Sequence, residues 1–194
     1  MNQSFEWIYF CNRMIHLNRI EEVNPEIEIL IVNGFTVFGA FGIAIQAQAI
    51  LGSWLGTNPN LWEHWAKSSH LPLKLVSNHS IFQKVLNLIE GQDDFDIQCN
   101  VMGTDFQYNV WNALCQIPFG QTMHYIQLSQ LLKIPNGARA VGAACGANQH
   151  ALLIPCHRVV HKSGESGHYR WGDQLKSDIL HREKLIAHPH QMLF

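Results

Sequence analysis

The stretch Ile154-Pro155-Cys156-His157-Arg158-Val159-Val160 sets a thiol between a rigid proline and a histidine, directly after an apolar run. A buried free cysteine is ordinarily an inert small hydrophobe, whereas a thiol with an imidazole nearby and an acid to orient that imidazole is a nucleophile. Adjacent side chains point in different directions, so the sequence leaves direct contact between Cys156 and His157 open and allows a water to relay the proton. The helix expected over Asp173 to Ile186 supplies the acid, Glu183 being best placed and Asp178 its competitor.

The rest of the chain bounds what such a thiol can serve. With 194 residues, 47% hydrophobic and 14% charged, the protein is long enough for one sizeable core or two small ones and too apolar for disorder. Cys11, Cys99, Cys115, Cys145 and Cys156 are an odd set without a C-x-x-C pair, which suggests neither a disulfide framework nor a zinc ribbon and fits a reducing, cytoplasmic setting. Glu6 and the lack of a basic n-region argue against a signal peptide. The membrane-like stretch Ile27 to Leu55 is interrupted by Glu28, Asn33, Gln46, Gln48 and glycines, and reads as two buried strands instead of a bilayer span.

Net charge is −2, but the halves differ: residues 1–100 sum to −5 and residues 101–194 to +3, so a polyanion would meet the second half. In the first half, alternation over Pro25-Glu26-Ile27-Glu28-Ile29 suggests a short strand, and Thr36 to Leu55 a hairpin or a pair of strands. Asn58-Pro59-Asn60 opens a short helix carrying Leu61, Trp62 and Trp65; Ser80 is expected to cap a second through Phe82, Val85 and Leu88, ended by Gly91. Phe95 to Asn100 alternates like a half-buried strand, and Met102-Gly103-Thr104 is the candidate domain boundary.

Beyond that boundary the pattern turns helical. Phe106, Val110, Trp111 and Leu114 share a face, and Ile117-Pro118-Phe119-Gly120 ends that helix. Tyr125 to Lys133, a turn at Pro135-Asn136-Gly137, and Ala138 to Cys145 make a helix-turn-helix by spacing. The second helix, Ala138-Arg139-Ala140-Val141-Gly142-Ala143-Ala144, lacks the polar side chains of a major-groove reader. A smooth surface with a single Arg suits a narrow groove, although an ordinary packing helix would look the same.

Taken together, Gly103 to Gln107, Val110-Trp111, Ile117 to Thr122, Tyr125, Arg139 to Gly142, Asn148, Ile154 to Val160, Gly164, Tyr169-Arg170-Trp171-Gly172 and Lys176 to Glu183 resemble the O6-alkylguanine-DNA alkyltransferases, in order and in spacing. The Tyr-Arg-Trp-Gly run is most similar to the C-terminal domain of the bacterial adaptive-response members, here without their regulatory N-terminal module. The resemblance implies an N-terminal extension (1–33), an RNase H-like α/β domain with a small sheet (34–102), and a mainly α domain with the helix-turn-helix and the cysteine (103–194).

By the same resemblance, Cys156 takes the alkyl group from O6 of guanine, and possible acceptance of O4-methylthymine follows, in a single irreversible turnover through a Glu183-His157-water-Cys156 relay. Tyr125 would hydrogen-bond the base at N3, Asn148 would support the thiol, and Arg139 would fill the stack left by an everted nucleotide. Val159, Tyr169, Arg170 and Trp171 would line the base pocket, with Ala138, Ala140 and Gly142 against the DNA. Arg158 and Lys176 are left as structural or phosphate-facing charges. The implied partner is double-stranded DNA bearing O6-alkylguanine, met by a monomer with no membrane and no obligate protein partner; no cofactor and no metal is implied.

The chain departs from the family in three places and lacks one family feature. His124 replaces the usual serine before the tyrosine, a poorer cap that could touch phosphate. Gln149 replaces a common proline, which suggests a looser turn after Asn148, and Trp171 replaces a glycine of some members, which would disfavour bulky O6 groups. Cys11 and His16 do not reproduce the zinc site of the human member. The alternatives are a non-catalytic alkyltransferase-like lesion binder, which would carry another residue at position 156, and a Cys-His hydrolase, for which no nucleophile elbow is present.

Overall fold

Three consecutive antiparallel strands, β2 (Ile29–Thr36), β3 (Gly39–Gln46) and β4 (Ala49–Gly56), form the centre of the N-terminal half. Nearly every residue of β3 and β4 is buried, because both sheet faces are covered. Val32, Phe41, Ile43, Ile45 and Leu55 join the main core, while Ile29, Ile31, Ala44, Leu51 and Trp54 form a smaller cluster. Burial on both faces is why this stretch reads as a continuous apolar run, and each such side chain contributes roughly 1.5–3 kcal/mol. The computed structural model describes residues 15–56, 72–90, 96–163 and 167–188. The short helix expected around Leu61, Trp62 and Trp65 lies outside these.

The sheet has six strands in the order β1-β6-β4-β3-β2-β5, with β1 (Ile15–Arg19), β5 (Leu73–Val76) and β6 (Ile97–Val101) added in parallel to the meander. Two sequence expectations change here. Pro25 to Glu28 is a turn leading into β2 and not a strand, and Ile27 to Leu55 holds three strands instead of two, of which β3 and β4 are the hairpin expected from Thr36 to Leu55. The β3–β4 reversal is made by Ala47 and Gln48, both at positive φ (49° and 71°), residues that carry no turn signature. The described part of residues 1–33 also belongs to the sheet, since β1 pairs with β6 from Ile15↔Ile97 to Arg19↔Val101.

Helix α1 (Ser80–Ile89) packs Phe82, Val85 and Leu88 on the sheet, with Phe82 stacked 6.1 Å from Phe41. Its cap is His79, whose ring accepts from the Ile81 N–H at 3.2 Å; Ser80 is the first helical residue and not the cap. In the second half, Thr104 and Gln107 cap α2 (Asp105–Cys115) reciprocally. Then come α3 (Tyr125–Leu131), α4 (Ala138–Gly146), a 3-10 turn at Cys156–Arg158 and α5 (Asp173–Ala187).

A two-stranded pair, β7 (Met123–His124) with β8 (Val159–Val160), ties the start of α3 to the residues just past the cysteine. Trp111 holds α2 to α4 by donating from Nε1 to the Ala144 carbonyl at 2.9 Å. The main core runs without interruption from Leu17 and Ile97 to Val141, Ile154 and Ile179. The two halves are further joined by Tyr108 Oη donating to the Leu17 carbonyl at 3.0 Å and by the Arg19–Asp105 ion pair. Among the described residues no helix is long and apolar enough to cross a membrane.

Candidate active site

Pro155 holds the chain as it enters the 3-10 turn, and that turn presents Cys156, His157 and Arg158, all buried. Cys156 lines a pocket of about 760 Å³. Tyr125, Tyr169, Arg170 and His161 line the pocket beside Cys156, and Ala138, Arg139, Gly142, Cys145 and Gly146 of the α4 region close its other side. No carboxylate belongs to that lining. Val159 and Trp171 stand outside it: Val159 is fully buried, and Trp171 packs edge-on against Tyr169 at 5.1 Å.

Asn148 governs the thiol directly. Its Nδ2 donates to the Cys156 sulfur at 3.2 Å, to the Ile154 carbonyl at 2.9 Å and to the His150 carbonyl at 3.2 Å, while its Oδ1 accepts from the His150 N–H at 2.8 Å. Burial raises the Cys156 pKa, opposed by the Asn148 hydrogen bond and by the charges of Lys176 and Arg170. The resting group is therefore a thiol, and ionisation needs a base.

His157 is that base's candidate. Its Nε2 lies 2.9 Å from Glu183 Oε1, and its buried Nδ1 has no protein partner. Glu183 also accepts from Arg158 Nε and Nη2, both at 2.9 Å, and from the Gly120 N–H at 3.2 Å. Burial alone would raise the Glu183 pKa, but His157 and Arg158 hold it well below the usual carboxylate range. Asp178, the sequence's competitor, instead accepts from Gln174 on the exposed face of α5 at 2.9 Å.

Arg158 is thus structural and not phosphate-facing, since its remaining donor goes to the Ile117 carbonyl at 2.8 Å. Lys176 is likewise fully buried, with Nζ 2.7 Å from the Val159 carbonyl and 5.9 Å from the Tyr125 ring centroid. Burial pushes the Tyr125 phenol up to about 12, so it stays protonated and available as a donor. Its ring meets His161 at 5.1 Å. Arg139 and Ala140 are exposed on α4, beside partly buried Ala138 and Gly142.

Two expectations about turns and caps resolve locally. The segment after Asn148 is not loose despite Gln149, because Ser53 of β4 bonds it on both sides. His124 stands at the α3 N-terminus without using its ring, and Gln127 Oε1 instead accepts from the His124 N–H at 2.8 Å. Sequence reasoning missed Ser53, His150, Cys145 and His161, none of which sits in a motif. His16 lies 3.6 Å from Asp96, and among the described residues no three His, Cys, Asp or Glu side chains gather to hold a metal ion.

The site thus combines a buried cysteine held by Asn148, a neighbouring histidine backed by Glu183, and a pocket shared with the small-residue helix α4. Residues 105–185 match the family model described as 6-O-methylguanine DNA methyltransferase, DNA binding domain. The chain is 50% identical over 114 residues to the regulatory protein ada of Salmonella typhimurium, covering 59% of this chain and 32% of that protein. It is 42% identical over 102 residues to the inducible methylated-DNA--protein-cysteine methyltransferase of Bacillus subtilis, covering 52% of this chain and 57% of that one. The crystal structure of Mycobacterium tuberculosis O6-methylguanine methyltransferase aligns with TM-score 0.68 at 28% identity, over 80% of this chain and 93% of that one.

Through this C-terminal part the chain is similar to the O6-alkylguanine-DNA alkyltransferases. It spans between 32% and 61% of the length of the curated relatives that it matches. The mixed sheet with helices is the alkyltransferase fold of the solved structures.

Proposed function

We propose that this protein repairs DNA by direct reversal, moving the alkyl group of O6-alkylguanine, and of O4-methylthymine where accepted, onto its own Cys156 in one irreversible turnover. The observation that carries the reading is a buried thiol held by Asn148 at 3.2 Å, next to a histidine whose far nitrogen is 2.9 Å from Glu183, on a pocket walled by α4. The names of the relatives support it, and a structure of the Mycobacterium tuberculosis OGT in complex with DNA supports DNA as the partner.

In this mechanism the Cys156 proton passes by way of a water to His157 Nδ1, and Glu183 stabilises the imidazolium. The thiolate attacks the alkyl carbon in line. An S–C bond forms, the C–O6 bond breaks, and its electron pair moves into the purine. Tyr125, kept as a phenol by burial, donates to N3 and offsets that charge. The proton taken up by His157 returns to the purine by way of water or Tyr125, so the products are guanine and a thioether; no step regenerates the thiol. Neither a cofactor nor a metal enters the transfer.

The target atom lies inside the duplex, so the nucleotide must rotate out at a cost of a few kcal/mol. Arg139, exposed on α4, enters the vacated stack, and Ala138, Ala140 and Gly142 let the minor groove approach closely. Tyr169 and Arg170 shape the base pocket, with Trp171 packed edge-on against Tyr169. Here α3 and α4 act as a helix-turn-helix, and the sheet as an RNase H-like α/β domain that ends near 102 and whose lower limit of 34 moves back to take in β1 and the start of β2. The protein acts as a monomer in the cytoplasm.

Intact-protein mass after incubation with a duplex containing O6-methylguanine tests this. One methyl gained, mapped to Cys156, supports repair. Lesion binding with no gain marks a non-catalytic binder and overturns the proposal.

A further inference from the structure

Two strands of the sheet grip the turn that carries Asn148. Ser53 of β4 forms a parallel bridge with His150: its N–H donates to the Gln149 carbonyl at 3.0 Å, and its carbonyl accepts from the Ala151 N–H at 3.1 Å. Its hydroxyl donates to the Ala151 carbonyl at 2.8 Å. His150, only 2% exposed, sets Nε2 3.2 Å from the Asn100 carbonyl of β6. Burial lowers the His150 pKa to about 4, so the ring is neutral near pH 7. Because its partner is a carbonyl, Nε2 carries the proton and donates.

The backbone of the same residue clasps Asn148, giving an N–H to Oδ1 at 2.8 Å and taking Nδ2 on its carbonyl at 3.2 Å. Nδ2 has two hydrogens and three acceptors, the His150 and Ile154 carbonyls and the Cys156 sulfur. How much of that donor the sulfur receives depends on where the turn sits. A displacement of a few tenths of an ångström would hand it to the carbonyls. A neutral buried ring whose Nδ1 has no partner is a costly residue to place here, which an aliphatic side chain would avoid.

We infer that His150, with Ser53, is a positioning residue for the thiol: the sheet fixes the turn, the turn fixes the Asn148 carboxamide, and the carboxamide fixes and polarises the Cys156 sulfur. This rests on the alkyl-transfer reading for its function, but the geometry of the thiol can be tested without it.

The test compares the full-length protein with His150→Leu, His150→Gln and Ser53→Ala. Alkylation of Cys156 by iodoacetamide is followed by peptide mass across pH, together with methyl gain from O6-methylguanine duplex. The groups facing the sulfur, Lys176, Arg170, Cys145, Tyr125 and Tyr169, are unchanged in all of them, so a moved pH midpoint reports on Asn148. His150→Leu should slow alkylation about 3- to 10-fold near neutral pH, as for one lost hydrogen bond, and move the midpoint upward.

His150→Gln keeps an N–H donor and should restore most of the rate, and Ser53→Ala should give a smaller loss in the same direction. A Leu variant with the wild-type rate and midpoint overturns the inference, as does a Gln variant that falls as far as Leu. Should His150→Leu fail to fold in a thermal melt, Ser53→Ala decides, since it keeps every backbone bond of the bridge. Wild-type protein that reacts with iodoacetamide at Cys156 but takes no methyl from DNA removes the repair reading alone.

Discussion

His157 turns Nε2 toward Glu183 at 2.9 Å, and this choice of nitrogen determines what its other nitrogen can do. The acidic partner holds the ring proton at Nε2, leaving the Nδ1 lone pair as the base on the side away from the carboxylate. Glu183 is itself held by two Arg158 nitrogens and the Gly120 N–H, so the acid cannot swing away.

Glu183→Gln should therefore do two things at once. It leaves the Arg158 cation buried without a counter-charge, at a cost of about 3–5 kcal/mol measured by urea unfolding. It also withdraws the imidazolium's partner, which should slow methyl transfer roughly 100-fold in a single-turnover assay. Unchanged stability would show that Arg158 has another partner.

Stability should fall with acid. His150 has a folded pKa near 4 against its ordinary 6.5, so the unfolded chain binds the extra proton between these values. Its contribution is complete above about pH 6.5 and declines as pH falls toward 4, by on the order of 3 kcal/mol at most. Glu183, held low, adds its own loss only below the usual carboxylate range. Melts from pH 7 to pH 4 should show this slope, to which His157, its pKa also lowered by burial, adds in the same direction; His150→Leu should reduce it.

Cys156→Ala should abolish methyl gain while leaving affinity for lesion-bearing duplex within about twofold, because Cys156 is buried and affinity comes chiefly from contacts to the DNA backbone. Gel shifts and mass spectrometry on the same sample separate the two effects.

Arg139→Ala should slow repair of duplex far more than reaction with free O6-methylguanine base, since only the duplex requires a filled stack. Equal loss on both substrates would refute the wedge.

Gly120→Ala should destabilise by about 1–3 kcal/mol. The residue sits at φ +74°, and an added Cβ would run into Ala187 and approach the Glu183 carbonyl. Because the Gly120 N–H also binds Glu183, transfer should slow along with the drop in melting temperature.

The motif residues were legible because chemistry of this kind is written locally: Pro155-Cys156-His157, Asn148 and Glu183 stand where the family spacing puts them, and the structure brings them together. Helix α2 was equally legible, since Val110, Trp111 and Leu114 recur at helical spacing and are buried on one face. The β3–β4 hairpin was expected over Thr36 to Leu55, but the place of its turn was hidden because Ala47 and Gln48 adopt positive φ without the glycine or asparagine that signals it. Arg158 and Lys176 were ambiguous because a long cation looks the same in sequence whether it faces phosphate or a buried carbonyl.

Apolar periodicity, the small-residue helix and the ordered motifs are properties of neighbours along the chain, and these by themselves pointed to the family that the chain resembles, to the candidate nucleophile and to its acid. Only the tertiary structure decided the state of the thiol. Its pKa is the balance of burial against Asn148, Lys176 and Arg170. The turn under it is anchored by Ser53, 98 residues before Ala151, and by Asn100, 50 residues before His150. Such contacts depend on distance in space, which residue spacing along a chain does not encode.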